Sequence, residues 1–135
     1  MSYLLDTNVC IRLINRNGPS RKVTRRLQAT APSEIRLASI VRAELLFGAY
    51  QSAKVAENVR LIERFCETFE STPFDDACAE QYGAIRAQLA KRGTPIGAND
   101  LLIAATALAH DLTLVTHNLE EFSRVVGLLL EDWEA

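Results

Sequence analysis

Tyr3-Leu4-Leu5-Asp6-Thr7-Asn8 opens the chain with a short apolar run that ends on a carboxylate. Open α/β sheets bind their ligands at the carboxyl ends of the strands, so an acid closing a first strand is placed for chemistry. Four more strand-like runs follow at residues 35–38, 71–74, 113–116 and 128–131, the first itself spanning 2–5. Longer stretches of helical periodicity lie between most of them. That alternation predicts an α/β fold with a mostly parallel sheet.

The helical segments account for most of the remaining hydrophobic residues. A helix through Cys10, Ile11 and Leu13 to Ile14 is expected to stop near Asn17-Gly18-Pro19, and another to carry Val23 and Leu27. Ser39 is placed to cap the helix that bears Glu44. Val55, Val59, Ile62 and Phe65 recur at helical spacing, as do Cys78, Tyr82, Ile85 and Leu89, and such stripes need no function beyond packing. Residues 101–108 are apolar on every side, as expected of a helix enclosed between a sheet and other helices. Gly93-Thr94-Pro95-Ile96-Gly97 is the turn that leads into it, and Asp100 stands at its head.

A chain of 135 residues suits a single domain spanning residues 1–135, large enough to bury roughly two-thirds of its unfolded surface. No repeat, low-complexity tract or interdomain linker interrupts it. The net charge of −2 argues against a protein that grips nucleic acid with its whole surface. Charge is nevertheless uneven: Arg12, Arg16, Arg21, Lys22, Arg25 and Arg26 crowd the first part, while Glu131, Asp132 and Glu134 load the end. The basic group is either a local basic surface suited to nucleic acid or a solvated helix face. Cys10, Cys66 and Cys78 show neither the pairing of a disulfide framework nor the close Cys/His spacing of a structural zinc site, and read as reduced core residues. With no signal-like opening and no apolar run of roughly twenty residues, a cytoplasmic protein without a membrane span is expected.

Asp6, Glu44 and Asp100 are the three acids set in apolar surroundings. Asp6 follows a strand, Asp100 begins a helix, and Glu44 shares a helical line with Ile40 and Phe47, so the three are expected to point toward one crevice at the sheet's carboxyl edge. Clustered carboxylates repel one another and resist desolvation, and a bound cation is one remedy. Oxygen-only ligation of this kind favours Mg²⁺ or Mn²⁺ over zinc. Each acid also has a purely structural reading: Asp6 as a turn or helix-capping residue, Asp100 as a charge favoured at a helix N-terminus, and Glu44 in a salt bridge to Arg42 or another arginine.

A fourth region, Leu114-Val115-Thr116-His117-Asn118-Leu119-Glu120-Glu121-Phe122, ends another strand in polar residues at the same predicted edge. Thr116 is in a position to hydrogen-bond Asp6, Asn118 to offer a neutral oxygen, and Glu121 or Glu120 to add a carboxylate, although Glu120 reads better as a first-turn helix charge. His117 is expected to be exposed, with a phosphate contact as its functional alternative. His110 occupies a helix end, where a cation is commonly structural.

Taken in order, Leu5-Asp6-Thr7-Asn8, the Glu44 helix with Leu45-Leu46-Phe47-Gly48, Gly97-Ala98-Asn99-Asp100-Leu101-Leu102-Ile103-Ala104-Ala105, and Val115-Thr116-His117-Asn118 through Phe122 resemble the PIN-domain nucleases. The chain looks most like the VapC toxins of bacterial type II toxin–antitoxin modules, and the resemblance runs nearly its whole length, to Glu131-Asp132-Trp133. It implies a three-layer α/β/α sandwich, with Asp6, Glu44 and Asp100 as acidic metal ligands and Thr116 orienting the first aspartate. Many relatives carry a fourth aspartate where this chain has Asn118, and Glu121 is the residue available to compensate. The implied activity is Mg²⁺-dependent endoribonucleolytic cleavage, often of transfer RNA, with Mn²⁺ able to substitute. Inhibition by a small VapB-like antitoxin and homodimerisation are implied as well.

Two other classes compete. A catalytically weak PIN-like module that binds RNA or a protein would fit the asparagine at 118, and metal-dependent turnover separates it from the enzyme. An aspartate-nucleophile phosphatase would use Asp6 and Thr116 but needs a second acid two residues after Asp6, where Asn8 stands. A dinucleotide-binding domain is disfavoured because no glycine-rich loop follows the first strand.

Overall fold

The computed structural model describes residues 1–15 and 21–135. Five parallel strands, β1 (Tyr3–Leu5), β2 (Ile35–Ala38), β3 (Glu70–Thr72), β4 (Thr113–Val115) and β5 (Leu130–Glu131), form one sheet in the order β3-β2-β1-β4-β5. Seven α-helices accompany them among the described residues: α1 (Thr7–Ile14), α2 (Arg21–Gln28), α3 (Ser39–Tyr50), α4 (Val55–Glu67), α5 (Asp76–Arg92), α6 (Ala98–Ala109) and α7 (Leu119–Phe122). The result is the helix-flanked parallel α/β fold expected from the sequence.

Strand order fixes where a ligand can sit. From β1 the chain moves to β2 and β3 on one side, then returns to lay β4 and β5 on the other, so the direction of winding reverses between β1 and β4. At such a reversal the connections leave in opposite directions and open a crevice at the carboxyl edge. Asp6 directly follows β1 on one lip and Thr116 directly follows β4 on the other, while the Asp6 amide continues the ladder by donating to the Val115 carbonyl at 2.9 Å.

Parallel strands covered on both faces read as unbroken apolar runs. Leu4, Leu5, Ile35, Leu37, Leu114 and Val115 are accordingly fully buried. Enclosure is most complete for α6, where Leu101, Ile103, Ala104, Ala105, Thr106 and Ala107 are all buried. The three alanines allow neighbouring elements close approach, and Thr106 satisfies its buried hydroxyl by donating to the Leu102 carbonyl at 2.8 Å. Gly93, at φ 68°, closes α5 in the left-handed conformation that glycine adopts without penalty, which turns the chain back into the α5–α6 hairpin.

Several expected boundaries move. β3 stops at Thr72, because Pro73 lacks the N–H a ladder requires, and Phe74 instead packs edge-on against Tyr82 at 6.3 Å. β5 begins at Leu130 rather than residue 128, and β4 ends before Thr116, whose amide still donates to the Glu131 carbonyl. Ser39 is the first residue inside α3 rather than its cap, the capping position falling on Ala38 without a side-chain bond. The expected breaker Asn17-Gly18-Pro19 lies outside the described residues.

The acidic chain end folds back onto the basic beginning. Trp133 is buried, meets Tyr3 edge-to-face at 5.4 Å, and donates from Nε1 to Glu131. Arg26 stacks over the Trp133 ring at 5.3 Å and donates to the same Glu131 carboxylate at 2.8 Å. This clasp, with Arg12 paired to Glu134 at 2.7 Å, resolves the charge asymmetry of the sequence.

Because α6 carries Asp100 to the crevice, its packing sets the position of that acid. Ile103→Ala removes a fully buried side chain from this helix and is expected to destabilise the fold by about 2–5 kcal/mol in equilibrium urea unfolding. A loss below roughly 1 kcal/mol would show that α6 is not packed as described.

Candidate active site

Asp6 is both the N-cap of α1 and the centre of the crevice. Its Oδ1 accepts from the Thr7 amide at 2.8 Å and its Oδ2 from the Thr116 hydroxyl, also at 2.8 Å. The capping role of Asp6 is therefore correct as far as one oxygen goes, and the Thr116 bond expected from the sequence accounts for the other. The two fix the carboxylate plane while leaving each oxygen a further lone pair.

Glu44 comes to the same place from α3. No ion pair ties it to Arg42 or any other arginine among the described residues. Its Oε1 accepts from the Thr7 hydroxyl at 2.7 Å instead. Thr7 thus links two acids, with its amide on Asp6 and its hydroxyl on Glu44. The expected line through Ile40, Glu44 and Phe47 is the half-exposed edge of α3: Phe47 is 63% exposed, and Val41, Leu45 and Ala49 form the face that enters the core.

Asp100 sits in the first turn of α6 and meets Glu121 from α7. Glu121 is held from three directions: the Gly97 amide donates to Oε1 at 2.6 Å, the Asn118 side-chain amide to Oε2 at 3.1 Å, and Asp100 bonds it through its own carboxyl. A methyl group placed at Gly97 would lie 3.5 Å from both Asp100 Oδ2 and Glu121 Oε1, which shows how closely these oxygens converge beside that backbone. Asn118 also donates its backbone amide to Thr116 Oγ1 at 3.0 Å, so Thr116 joins Asp6 to the Asn118 turn.

The electrostatics are those of an acid group in which only Glu121 feels a nearby arginine, Arg124, among the described residues. Burial raises Asp6 above its ordinary value, with Glu44 and Glu121 adding repulsion against the two hydrogen bonds it accepts. Asp100 is pushed from 3.8 to about 7, first by desolvation and then by the charges of Asp6 and Glu121. Glu121 moves the other way, lowered chiefly by the Gly97 amide, so the proton of the Asp100–Glu121 pair resides on Asp100. Among the described residues no Lys or Arg pairs with Asp6, Glu44 or Asp100, and Arg12, on the cleft wall, is taken by Glu134. Asp6, Asn8, Arg12, His117, Asn118 and Glu134 line that cleft together.

The remaining sequence candidates separate. Arg21, Lys22 and Arg25 are exposed on α2 and carry no ion pair among the described residues, whereas Arg26 is committed to Glu131 and Trp133. Arg16 lies outside the described residues. Glu120 is exposed and points toward Arg124, away from the other acids. His117 is exposed, as expected, and rests against Asp132 at 3.0 Å. Thr7 and the Gly97 amide are the site members that sequence reasoning missed. A polar residue directly after Asp6 was the one hint of the first, and a backbone donor leaves none.

The sequence profile of the PIN domain matches residues 3–128. The chain belongs to the PIN-domain family, whose nucleases generally use divalent metal ions. Within it the similarity is to VapC proteins. A ribonuclease VapC2 of Rickettsia felis is 40% identical over 134 residues, covering 99% of each chain. A tRNA(fMet)-specific endonuclease VapC of Salmonella typhimurium is 38% identical over 133 residues, covering 98% of each. In the crystal structure of DNA-bound VapBC from Salmonella typhimurium, one chain superposes with a TM-score of 0.91 at 36% identity, covering 98% of both.

The raised Asp100 gives a signed pH dependence. Its folded-state value lies above that of the unfolded chain, so the native state keeps a proton the unfolded state has lost. The associated stability is complete below about pH 4 and is lost as pH rises through about 7. In chelator, Tm is expected to fall across that window and to fall less in Asp100→Asn. A flat or rising Tm, or the same slope in both proteins, would contradict the assignment.

Proposed function

We propose that this chain is the toxin of a type II toxin–antitoxin pair, a metal-dependent endoribonuclease that hydrolyses RNA phosphodiester bonds in the acidic cleft, acting as one domain over residues 1–135. The observation that carries the reading is that Asp6, Glu44, Asp100 and Glu121, from separate segments, lie near enough to repel one another, with no Lys or Arg among the described residues paired to the first three. The ribonuclease and endonuclease names of its relatives agree with it.

The donor set fits a hard divalent cation. All candidate ligands offer oxygen, and the desolvation and repulsion that raise Asp6 and Asp100 are the penalties such an ion would relieve. Asp6, Asp100 and Glu44 would hold Mg²⁺, or Mn²⁺ in its place, with Glu121 or Asn118 as a further donor. When bound, the ion supplies Lewis acidity at the phosphate and lowers the pKa of the attacking water.

The chain's own groups prepare that site. Thr116 and the Thr7 amide hold Asp6 in one orientation, and the Thr7 hydroxyl ties Glu44 to it. Asn118 and the Gly97 amide anchor Glu121, so the position filled by an aspartate in many relatives is served here by a carboxylate one helical turn later. This favours an enzyme over a binding module. Arg21, Lys22 and Arg25, which carry no ion pair among the described residues, supply the positive charge an RNA strand requires against an acidic centre, whereas Arg12 on the cleft wall is held by Glu134.

VapBC assemblies are toxin–antitoxin systems, and the partner proposed here is a small antitoxin, with homodimerisation of the toxin. An apolar groove lined by Ile11, Ile14, Leu45 and Leu61 suits such a partner, and it reaches the cleft because Ile11 and Asn15 border both. Transfer RNA is the substrate class proposed, in the cytoplasm; among the described residues no helix is long and apolar enough to cross a membrane.

Asp6→Asn and Asp100→Asn are each expected to lower single-turnover RNA cleavage by at least about a hundredfold, on the scale of losing one group that stabilises transition-state charge, while circular dichroism stays unchanged. Undiminished cleavage in both folded variants would refute the site, and RNA binding without turnover in the unmodified protein would leave only the binding module.

A further inference from the structure

At the far end of α6 from Asp100 lies a second group of ligating side chains with different chemistry. Asp75, the N-cap of α5, Cys78, in the first turn of α5, and His110, the C-cap of α6, place a carboxylate oxygen, a thiol sulfur and an imidazole nitrogen all within 4.8 Å of one another. The antiparallel α5–α6 hairpin creates this meeting by bringing His110 to Asp75 and Cys78, more than thirty positions earlier in the sequence. His110 stands ten residues after Asp100, about 15 Å along the helix at roughly 1.5 Å per residue, so the group is distinct from the acidic cleft.

Ordinary packing does not satisfy every atom of this arrangement. Asp75 Oδ1 is used by the cap, accepting from the Cys78 amide at 3.0 Å. Asp75 Oδ2 faces His110 Nε2 at 3.1 Å, yet that nitrogen, shielded from solvent, makes no hydrogen bond among the described residues. A shielded polar atom without a partner is costly. The Cys78 thiol is buried beside Asp75 and donates a long, weak bond to the Pro73 carbonyl at 3.8 Å. Nitrogen, oxygen and sulfur thus lie within reach of one point, where the imidazole nitrogen lacks a hydrogen bond among the described residues and the thiol makes only weak ones.

We propose that Asp75, Cys78 and His110 bind a zinc-type transition-metal ion, through Oδ2, Sγ and Nε2, with water from the exposed Asp75 side as fourth ligand. A mixed imidazole–thiolate–carboxylate set is the chemistry zinc prefers, opposite to the oxygen-only cleft. The separations admit it: bonds of about 2.0–2.3 Å arranged tetrahedrally put ligand atoms roughly 3.2–3.8 Å apart, which small side-chain rotations reach. Binding replaces the S–H bond of Cys78 with a metal–sulfur bond and passes that proton to solvent, while Asp75 binds as carboxylate and His110 as neutral imidazole. No redox change is involved. The ion staples the start of α5 to the end of α6, the helix whose other end presents Asp100. The other comparable group among the described residues, His117, Asp132 and Glu134, already has Arg12 at 2.7 Å from Glu134, whereas no arginine or lysine among those residues pairs with Asp75.

Cobalt titration of the full chain, purified without a histidine tag and freed of metal, tests the proposal. A thiolate-to-cobalt charge-transfer band in the near ultraviolet is expected to saturate at one equivalent and to disappear on adding Zn²⁺. It should vanish in Cys78→Ser and in His110→Gln, and persist in Cys66→Ser and Asp6→Asn. His110→Gln guards against failure of the buried Cys78→Ser to fold, since it alters a half-buried helix end. No band in the unmodified chain, a band that survives in folded His110→Gln, or one lost in Asp6→Asn would overturn it.

Discussion

The bond from Thr116 to Asp6 joins the two lips of the crevice, and much of the site depends on it. Asp6 follows β1 and Thr116 follows β4, the pair of strands between which the sheet reverses its winding. A buried carboxylate at that point is unfavourable unless its oxygens are hydrogen-bonded, and here the α1 N-terminus and the Thr116 hydroxyl each take one. Thr116 in turn accepts from the Asn118 amide, Asn118 holds Glu121, and Glu121 meets Asp100. On the other side Thr7 reaches Glu44. Acids from four places in the chain are thereby connected through a few short bonds.

These bonds position the acids without cancelling their charge. Repulsion remains, and Asp100 answers it by holding a proton near neutral pH. The arrangement costs stability, as sites that gather like charges do. Elsewhere the same chain neutralises its charges readily: Arg12 takes Glu134 and Arg26 takes Glu131. That no Lys or Arg among the described residues pairs with Asp6, Glu44 or Asp100 is a local property, not a shortage of arginine.

Much of this was legible in the sequence because it rested on local patterns. Apolar runs located all five strands, and the step from each strand end to a polar residue located Asp6 and Thr116. Asp100 was legible because a carboxylate at the head of a wholly apolar helix breaks the pattern of the residues that follow it. The contacts made through space were not. Glu44 looked able to choose an arginine on its own helix, and only the folded chain shows Thr7, thirty-seven residues earlier, as its partner. The basic cluster read as one surface because sequence cannot distinguish Arg26, which closes over Trp133, from Arg25 beside it, which does not. Cys78 was read as core for the same reason: its neighbour His110 comes from the opposite end of a hairpin.

The central claim is that the acids of the cleft form one cation site, with a proton on Asp100 in its place when the cation is absent. Calorimetric titration with Mn²⁺ near neutral pH, repeated in buffers of different ionisation enthalpy, measures binding and proton release together. A shared site predicts saturable binding that expels a proton, with binding lost in Asp6→Asn and proton release lost in Asp100→Asn. Binding that is absent, or that proceeds in both variants with the same proton count as in the unmodified chain, would contradict it.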